Sequence, residues 1–141
     1  MVIEKDISKF LVLDSDTVLA AVNKINKNKT RIVFIVDNNG LLLGAFNDGD
    51  FRRWLLSDNK INMNIPIVDV CNKTFISRKV NDPHLKISEK LSEKIHHIPL
   101  VDENHRIVAV ASMGGDVNQI KISSKIISET SSVFFISEIG N

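Results

Sequence analysis

The sequence has few of the features that mark disulfide-bonded, membrane-spanning or strongly charged proteins. Its single cysteine, Cys71, allows no internal disulfide, which fits a reducing compartment. No apolar run approaches the ~18 residues of a membrane-spanning helix, and charged residues interrupt residues 1–10, unlike a secretory signal. The net charge of +1 gives no general reason to expect nucleic acid or an anionic membrane as partner. We therefore expect a cytoplasmic protein.

Motifs of the common enzyme classes are missing as well. The sequence has no Cys/His zinc spacing, no P-loop, no GxSxG elbow and no HExxH pair. No histidine lies near Cys71 in sequence, so this cysteine is expected to be a small buried apolar residue. The sequence therefore gives no reason to expect a metal site or a catalytic residue.

The most informative feature that is present is an internal repeat. Residues 31–47 match residues 96–112 without a gap, at a spacing of 65 residues. The matched positions are Val36-Asp37 with Val101-Asp102, Gly44 with Ala109, and Asn47 with Ser112. A unit of about 60 residues is too small to build a large core alone. We therefore expect two copies packed together, with a cleft between them that suggests ligand binding before catalysis.

The hydrophobic pattern predicts strand, helix, strand, strand, helix in each copy. For the first copy it predicts strands at 10–13, 31–36 and 41–46, a helix from residue 18, and a second helix opened by Asp48. A turn at 38–40 joins the last two strands. For the second copy it predicts strands at 74–77, 96–101 and 106–111, and a helix after Asp82-Pro83 with Ile87, Leu91 and Ile95 on its buried face. The closing helix is missing there.

The segment 47–50 allows two interpretations. A helix N-terminus attracts phosphate, Gly49 allows close backbone approach, and the Asp50 carboxylate could accept both ribose hydroxyls through charge-assisted bonds. Arg52 and Arg53 could then contact phosphate. Alternatively, Asp48 and Asp50 cap the helix and the arginines are solvated, and the residues alone leave both interpretations open.

The tandem elements, with Val36-Asp-Asn-Asn-Gly40 and Gly44-Ala-Phe-Asn-Asp-Gly-Asp-Phe-Arg-Arg-Trp54, resemble the cystathionine-β-synthase (CBS) domain. The resemblance covers about residues 1–118. It implies an α+β fold of two β-α-β-β-α units with pseudo-twofold symmetry, the CBS pair or Bateman module. It also implies adenine-nucleotide binding in the cleft, with the base between apolar strand residues and the phosphates near the pseudo-twofold axis.

The family's nucleotide signature, Gly-x-x-Thr/Ser-x-x-Asp, corresponds to Gly44, Asn47 and Asp50, with asparagine replacing the hydroxyl residue. The second copy reads Ala109, Ser112 and Gly115, so the ribose carboxylate is missing and Asp116 comes one residue late. The resemblance places Arg31 and His96 near phosphate and turns His97 away from the cleft. The candidate ligand-binding residues are Leu13, Arg31, Asn47, Asp48, Asp50, Arg53, His96 and Ser112.

Residues 120–141 resemble the opening of the sialic-acid synthase family, a small hairpin followed by a first barrel strand ending in Ala-Glu-Ile-Gly-Asn. Here the last five residues are Ser137-Glu-Ile-Gly-Asn141, and Glu138 corresponds to an active-site glutamate of that family. The resemblance implies an attached enzyme that condenses phosphoenolpyruvate with an N-acylated aminosugar, using a divalent metal. A low-complexity apolar tail is the alternative.

We therefore predict a first CBS motif at 1–65, a second at 66–118, and the start of a truncated synthase-like barrel at 119–141. The predicted function is regulatory: a nucleotide of the AMP, ADP, ATP or CMP type binds in the cleft and controls the attached synthase. The alternative is a structural dimerisation module that binds no nucleotide. We expect no enzyme activity from this stretch, no other cofactor, and a homodimer formed through the helix at 51–56, including Trp54 and Leu55.

Overall fold

A computed structural model describes residues 1–57 and 60–113 of the chain. Its strands are β1 (Val2–Glu4), β2 (Leu11–Leu13), β3 (Ile32–Val36), β4 (Leu42–Asn47), β5 (Arg78–Lys79), β6 (His97–Val101) and β7 (Ile107–Ser112). Its α-helices are α1 (Val18–Asn28), α2 (Asp48–Ser57) and α3 (His84–Ser88), and short 3-10 turns occur at Ser8–Phe10 and Ile67–Asp69. The predictions for Gly115, Asp116, Glu138 and residues 119–141 lie outside the described residues.

The first repeat has the predicted order β2-α1-β3-β4-α2. Strand β2 runs parallel to β3, and β3 pairs antiparallel with β4. The Thr17 hydroxyl caps α1 by accepting the Ala20 N–H at 3.1 Å, a bond that satisfies one of the helix's free donors. The buried face of α1 carries Val18, Ala21 and Ile25, which pack on buried residues of β3 and β4. The sequence spaces these apolar residues at helical intervals, and the structure buries them together on one face of α1.

The second repeat differs from the prediction at two places. Its first strand is Arg78–Lys79, parallel to β6, instead of 74–77. Helix α3 ends at Ser88 instead of continuing to Ile95. The Ser92 hydroxyl accepts the N–H groups of Lys94 and Ile95, and such side-chain bonds compete with helix formation. Leu91 and Ile95 still pack beside buried Ile87, although they are not helical.

Equivalent carboxylates hold the two β-hairpin turns. Asp37 accepts the N–H groups of Asn39 and Leu41, and Asp102 accepts those of Asn104 and Arg106. The bond from the Arg106 N–H is the main cause that lowers the pKa of Asp102. The repeat is therefore reproduced at the level of single hydrogen bonds.

The repeats also exchange sheet edges. Strand β1 precedes the first repeat but pairs antiparallel with β7 of the second. In return, Asn72 of the connecting segment forms two backbone hydrogen bonds with Ala45 in β4, at 2.8 and 2.9 Å. The resulting strand order is β1-β7-β6-β5 in one sheet and β2-β3-β4 in the other. Each half is thus completed by a segment from outside its own repeat: β1 precedes both repeats, and Asn72 follows the first.

The hydrophobic core joins the two halves. One cluster of buried residues combines β3 and β4 with β6 and β7: Phe10, Phe34, Val36, Leu42, Ala45, Val101, Ile107 and Val110. Burying a phenylalanine side chain contributes roughly 1.5–3 kcal/mol, so this cluster stabilises the pairing of the halves. The paired α+β architecture predicted from the repeat is confirmed.

Cys71 is buried against β4, as expected from the sequence. Burial raises the pKa of its thiol, which disfavours the reactive thiolate. A Cβ atom added at Gly44 would lie 2.5 Å from the Cys71 Sγ. Glycine at position 44 therefore allows Cys71 to pack closely against β4. Among the residues described, no helix has the length and apolar character needed to cross a membrane.

Candidate functional site

A cavity of about 600 Å³ lies where the two repeats meet. This volume lies within the range of small-molecule sites, roughly 300–1,000 Å³. The walls come from the first repeat, from the connecting segment at 72–76 and from the second repeat. Lining residues are Thr30, Arg31, Ile32, Phe34, Ala45, Asn47–Asp50, Arg53, Asn72, Thr74–Ile76, Lys94–His97 and Pro99. The cleft expected between the copies is therefore present.

Most of the candidate residues line this cavity: Arg31, Asn47, Asp48, Asp50, Arg53 and His96. Leu13 and Ser112 do not. Leu13 ends β2, and Ser112 is buried because β7 is flanked by β1 and β6, opposite Val2 and His97. The prediction that these two residues bind a ligand finds no support in this cavity.

His97 was expected to point away from the cleft, and this was wrong. It lines the cavity next to His96, and its ring centroid lies 5.6 Å from that of Phe10. Burial is the main cause that lowers the pKa of His97, and the charge of His96 lowers it further. The cavity wall therefore holds a histidine that favours its neutral form.

The N-terminus of α2 is closed by a reciprocal pair of hydrogen bonds. The Asn47 side-chain oxygen accepts the Asp50 N–H at 2.8 Å, and the Asp50 carboxylate accepts the Asn47 N–H at 3.0 Å. This is the geometry of a capping box. The capping interpretation of the segment therefore holds for Asp50, with Asn47 as its partner.

Arg53 covers the same turn of α2. Its guanidinium donates to the second Asp50 carboxylate oxygen at 2.6 Å. A Cβ added at Gly49 would lie 3.3 Å from the Arg53 Nη1. The Asp50 side chain is 14% exposed and that of Arg53 is 71% exposed. Both carboxylate oxygens of Asp50 thus have a partner within the protein. Because the Arg53 side chain is open to solvent, a ligand could replace it as the partner of Asp50.

Cationic side chains gather in the cavity from both repeats. Arg31, Arg53 and Lys94 line it together with His96, against the carboxylates of Asp48 and Asp50. Arg31 approaches Asp48 only to 3.8 Å and is 81% exposed, so solvent screens this pair. The arrangement can receive an anionic group between the repeats.

Sequence reasoning missed the cavity residues Thr30, Lys94 and the apolar pair Phe75-Ile76. Thr30 directly precedes Arg31, and Lys94 lies two residues before His96, so closeness to the two predicted phosphate contacts was the signal that could have found them. No local pattern marks residues 72–76, because their role depends on the bridge between Asn72 and Ala45. No group of three or more His, Cys, Asp or Glu side chains suited to a metal ion occurs in the described ranges.

Comparison with known proteins identifies the fold. Residues 3–57 match the family model of the CBS domain. The chain folds as a CBS-domain pair. It is similar to the CBS-domain pair of protein MJ0100, solved in complex with 5′-methylthioadenosine and S-adenosyl-L-methionine. That similarity has a TM-score of 0.61 and 23% identity and covers 85% of this chain and 99% of the other.

Two further similarities involve longer proteins. Protein MJ1004 from Methanocaldococcus jannaschii matches this CBS pair with a TM-score of 0.68 and 19% identity, over 92% of this chain and 62% of that one. Arabinose 5-phosphate isomerase GutQ of Salmonella typhi is 24% identical over 103 residues, which is 72% of this chain and 32% of the relative. The matched part of the CBS pair thus spans about a third of the curated relatives' length.

Proposed function

We propose that this CBS pair is a cytoplasmic regulatory module that binds an adenine nucleotide, or another nucleotide, in the cavity between its repeats. The observation that supports this most strongly is the meeting, in one cavity, of Asn47 and Asp50 with cations from both halves. The similar pair of MJ0100 holds two ligands that both contain adenosine. Regulation and not catalysis is proposed, because the cavity offers no activated nucleophile.

The proposed ligand spans the cavity from its apolar wall to its cationic end. The base lies against Phe34 and Phe75, and the ribose hydroxyls face Asp50, all of which line the cavity. The phosphates face Arg31, Arg53 and Lys94, and His96 lines the same cavity. Hydrogen bonds from charged groups contribute about 1.5–3 kcal/mol each, so these contacts decide affinity.

Isothermal calorimetry with ATP, ADP, AMP and CMP tests the proposal. We expect binding by the wild-type chain and at least tenfold weaker binding by Asp50→Asn, which keeps an acceptor for the Asn47 N–H but removes the charge. Asp69→Asn is the matched control, since Asp69 is exposed and does not line the cavity. Absence of heat with every nucleotide would contradict the proposal.

The attached enzyme is part of the same proposal. We infer a sialic-acid-like synthase from the sequence of residues 120–141, and GutQ offers a relative that combines a similar region with a sugar-phosphate enzyme. The test is synthase activity of the whole gene product with phosphoenolpyruvate and an N-acylated aminosugar. We expect a nucleotide to change this activity, and Asp50→Asn to remove that response while leaving the activity without nucleotide unchanged.

A structural dimerisation module is the second candidate. Two observations favour it: Asp50 already has partners within the protein, and α2 exposes Leu55 (37%) and Leu56 (82%). Trp54, which was also expected in the dimer contact, is partly buried against the core of the first repeat. Sedimentation of the wild type and Leu56→Glu tests this candidate. A dimer lost in the variant and indifferent to nucleotides would favour it over ligand sensing.

A further inference from the structure

The loop that carries Arg31 into the cavity has an unusual backbone. Lys29 and Arg31 both adopt positive φ, at 61° and 65°, a conformation that residues other than glycine rarely take. Between them, the Thr30 hydroxyl oxygen is buried and has no partner among the described residues. Thr30 and Arg31 both line the cavity. Such a conformation persists only where neighbouring groups impose it, and strained positions concentrate at binding sites.

Asn28, the last residue of α1, imposes this conformation. Its side-chain oxygen accepts the N–H groups of Thr30 and Arg31 at 3.0 and 3.3 Å. Its side-chain nitrogen donates to the carbonyls of Lys9 and Ile32 at 3.0 and 2.9 Å. Both donors and both acceptor positions of the amide are thus in use, and the loop is tied to the chain on either side of it.

The second repeat has a similar device in the segment that brings Lys94 to the same cavity. The Ser92 hydroxyl accepts the N–H groups of residues two and three positions later, Lys94 and Ile95. Asn28 stands in the same relation to Thr30 and Arg31. Each loop therefore presents its cation, Arg31 or Lys94, from a backbone that a polar side chain holds in place.

We propose that Asn28 is a positioning residue, which holds the Arg31 loop in the conformation that receives the phosphate of a bound nucleotide. This inference rests on the proposed function and assigns to Asn28 a role in ligand selection. An ordered loop loses less conformational freedom on binding than a mobile one. Asn28 therefore acts on the phosphate and not on the base or ribose, which contact other parts of the cavity.

The test compares AMP with adenosine, which differ only in the phosphate, by calorimetry on the 141-residue chain. We expect Asn28→Ala to weaken AMP binding about tenfold and to leave adenosine binding within about twofold. Asn28→Ser, which keeps an acceptor at the spacing that Ser92 uses, should retain most of the preference for AMP. Asn26→Ala is the control, because Asn26 is exposed on the same helix and outside the cavity.

A double-mutant cycle with Arg31→Ala shows whether Asn28 acts through Arg31. In the Arg31→Ala background, Asn28→Ala should change the AMP affinity by less than about twofold. If Asn28→Ala weakens AMP binding as much in the Arg31→Ala background as in the wild type, or weakens AMP and adenosine equally, the positioning role is overturned. Nucleotide binding by the wild type, and with it the proposed function, would still stand. A wild type that binds neither compound overturns this inference, and the proposed function is overturned with it only if ATP, ADP and CMP give no heat either. If Asn28→Ala does not fold, Asn28→Gln replaces it with the same expected outcomes, since the added methylene displaces the amide.

Discussion

Asn47 and Asp50 hold each other at the start of α2: the Asn47 side chain accepts the Asp50 N–H, and the Asp50 carboxylate accepts the Asn47 N–H. Asparagine therefore caps the helix as threonine or serine could, because each of the three has a side-chain oxygen that can accept a free N–H of the first helical turn. The replacement of the hydroxyl residue in the nucleotide signature does not disturb the helix terminus. It also leaves Asp50 at the wall of the cavity.

Removing this cap should destabilise the fold. We expect Asn47→Ala to lower the free energy of unfolding by about 1 kcal/mol, because the Asp50 N–H loses its acceptor. Asn47→Thr should stay within about 0.5 kcal/mol of the wild type, since threonine also caps. Urea denaturation measures both values. Equal stability of Asn47→Ala and the wild type would show that the cap is dispensable.

Much of this arrangement could be predicted from the sequence, because it depends on local chemistry and on the repeat. The turns at Asp37 and Asp102, the buried face of α1 and the helix start at Asp48 all follow from neighbouring residues. The shortened α3 could not be predicted, since periodicity does not weigh the Ser92 hydroxyl against helical bonds. The exchanged edge β1 and the placement of His97 depend on contacts between halves that sequence patterns do not encode.

Arg53 is expected to compete with a ligand for Asp50, because its guanidinium donates to that carboxylate at 2.6 Å. Arg53→Ala should therefore strengthen the binding of adenosine, which carries no phosphate, and weaken the binding of AMP, which loses a cationic partner. Because the arginine is largely exposed, its removal should change stability by less than about 1 kcal/mol.

Calorimetry with both compounds checks this opposite response. Arg52→Ala serves as the control, since Arg52 is the neighbouring arginine and does not line the cavity. A parallel loss or a parallel gain for adenosine and AMP in Arg53→Ala would mean that the ion pair does not oppose ribose recognition.

Gly44 and Cys71 should show strong energetic coupling. Gly44→Ala places a Cβ 2.5 Å from the Cys71 Sγ and 3.1 Å from the Asn72 carbonyl oxygen, and overpacking of this kind costs about 1–3 kcal/mol. In a Cys71→Ala background the sulfur is gone, so the cost of Gly44→Ala should fall by about 1 kcal/mol. Denaturant unfolding of the four variants gives the coupling free energy. If Gly44→Ala destabilises the chain equally in the Cys71→Ala background, the contact with the Asn72 backbone alone causes the overpacking.

Gly40 and His105 occupy equivalent turn positions with positive φ, at 83° and 62°. A left-handed conformation costs a residue with a side chain roughly 1–2 kcal/mol, and glycine escapes this cost but is more flexible when unfolded. His105→Gly should therefore stabilise the chain by about 0.5 kcal/mol, and Gly40→His should destabilise it by about 1 kcal/mol. Each residue's carbonyl accepts a bond from the other repeat, so both variants keep that contact. Thermal unfolding of the two variants shows whether His105→Gly raises the melting temperature and Gly40→His lowers it.

His97 should make stability fall on acidification. Its pKa is lowered in the folded protein, by burial first and then by His96 and Lys9, while Glu4 opposes the shift. The unfolded chain, with a histidine pKa of about 6.5, therefore takes up the proton more readily. The contribution of neutral His97 is complete above that pH and is lost as pH falls toward the folded pKa.

Urea denaturation between about pH 5 and pH 7.5 measures this effect, because histidine titrates in that range. The free energy of unfolding should decrease with falling pH in the wild type, and the slope should be smaller in His97→Gln, which cannot titrate. His84→Gln is the matched control, since His84 is exposed on α3 and does not line the cavity. Equal slopes in the wild type and His97→Gln would assign the acid sensitivity to other groups.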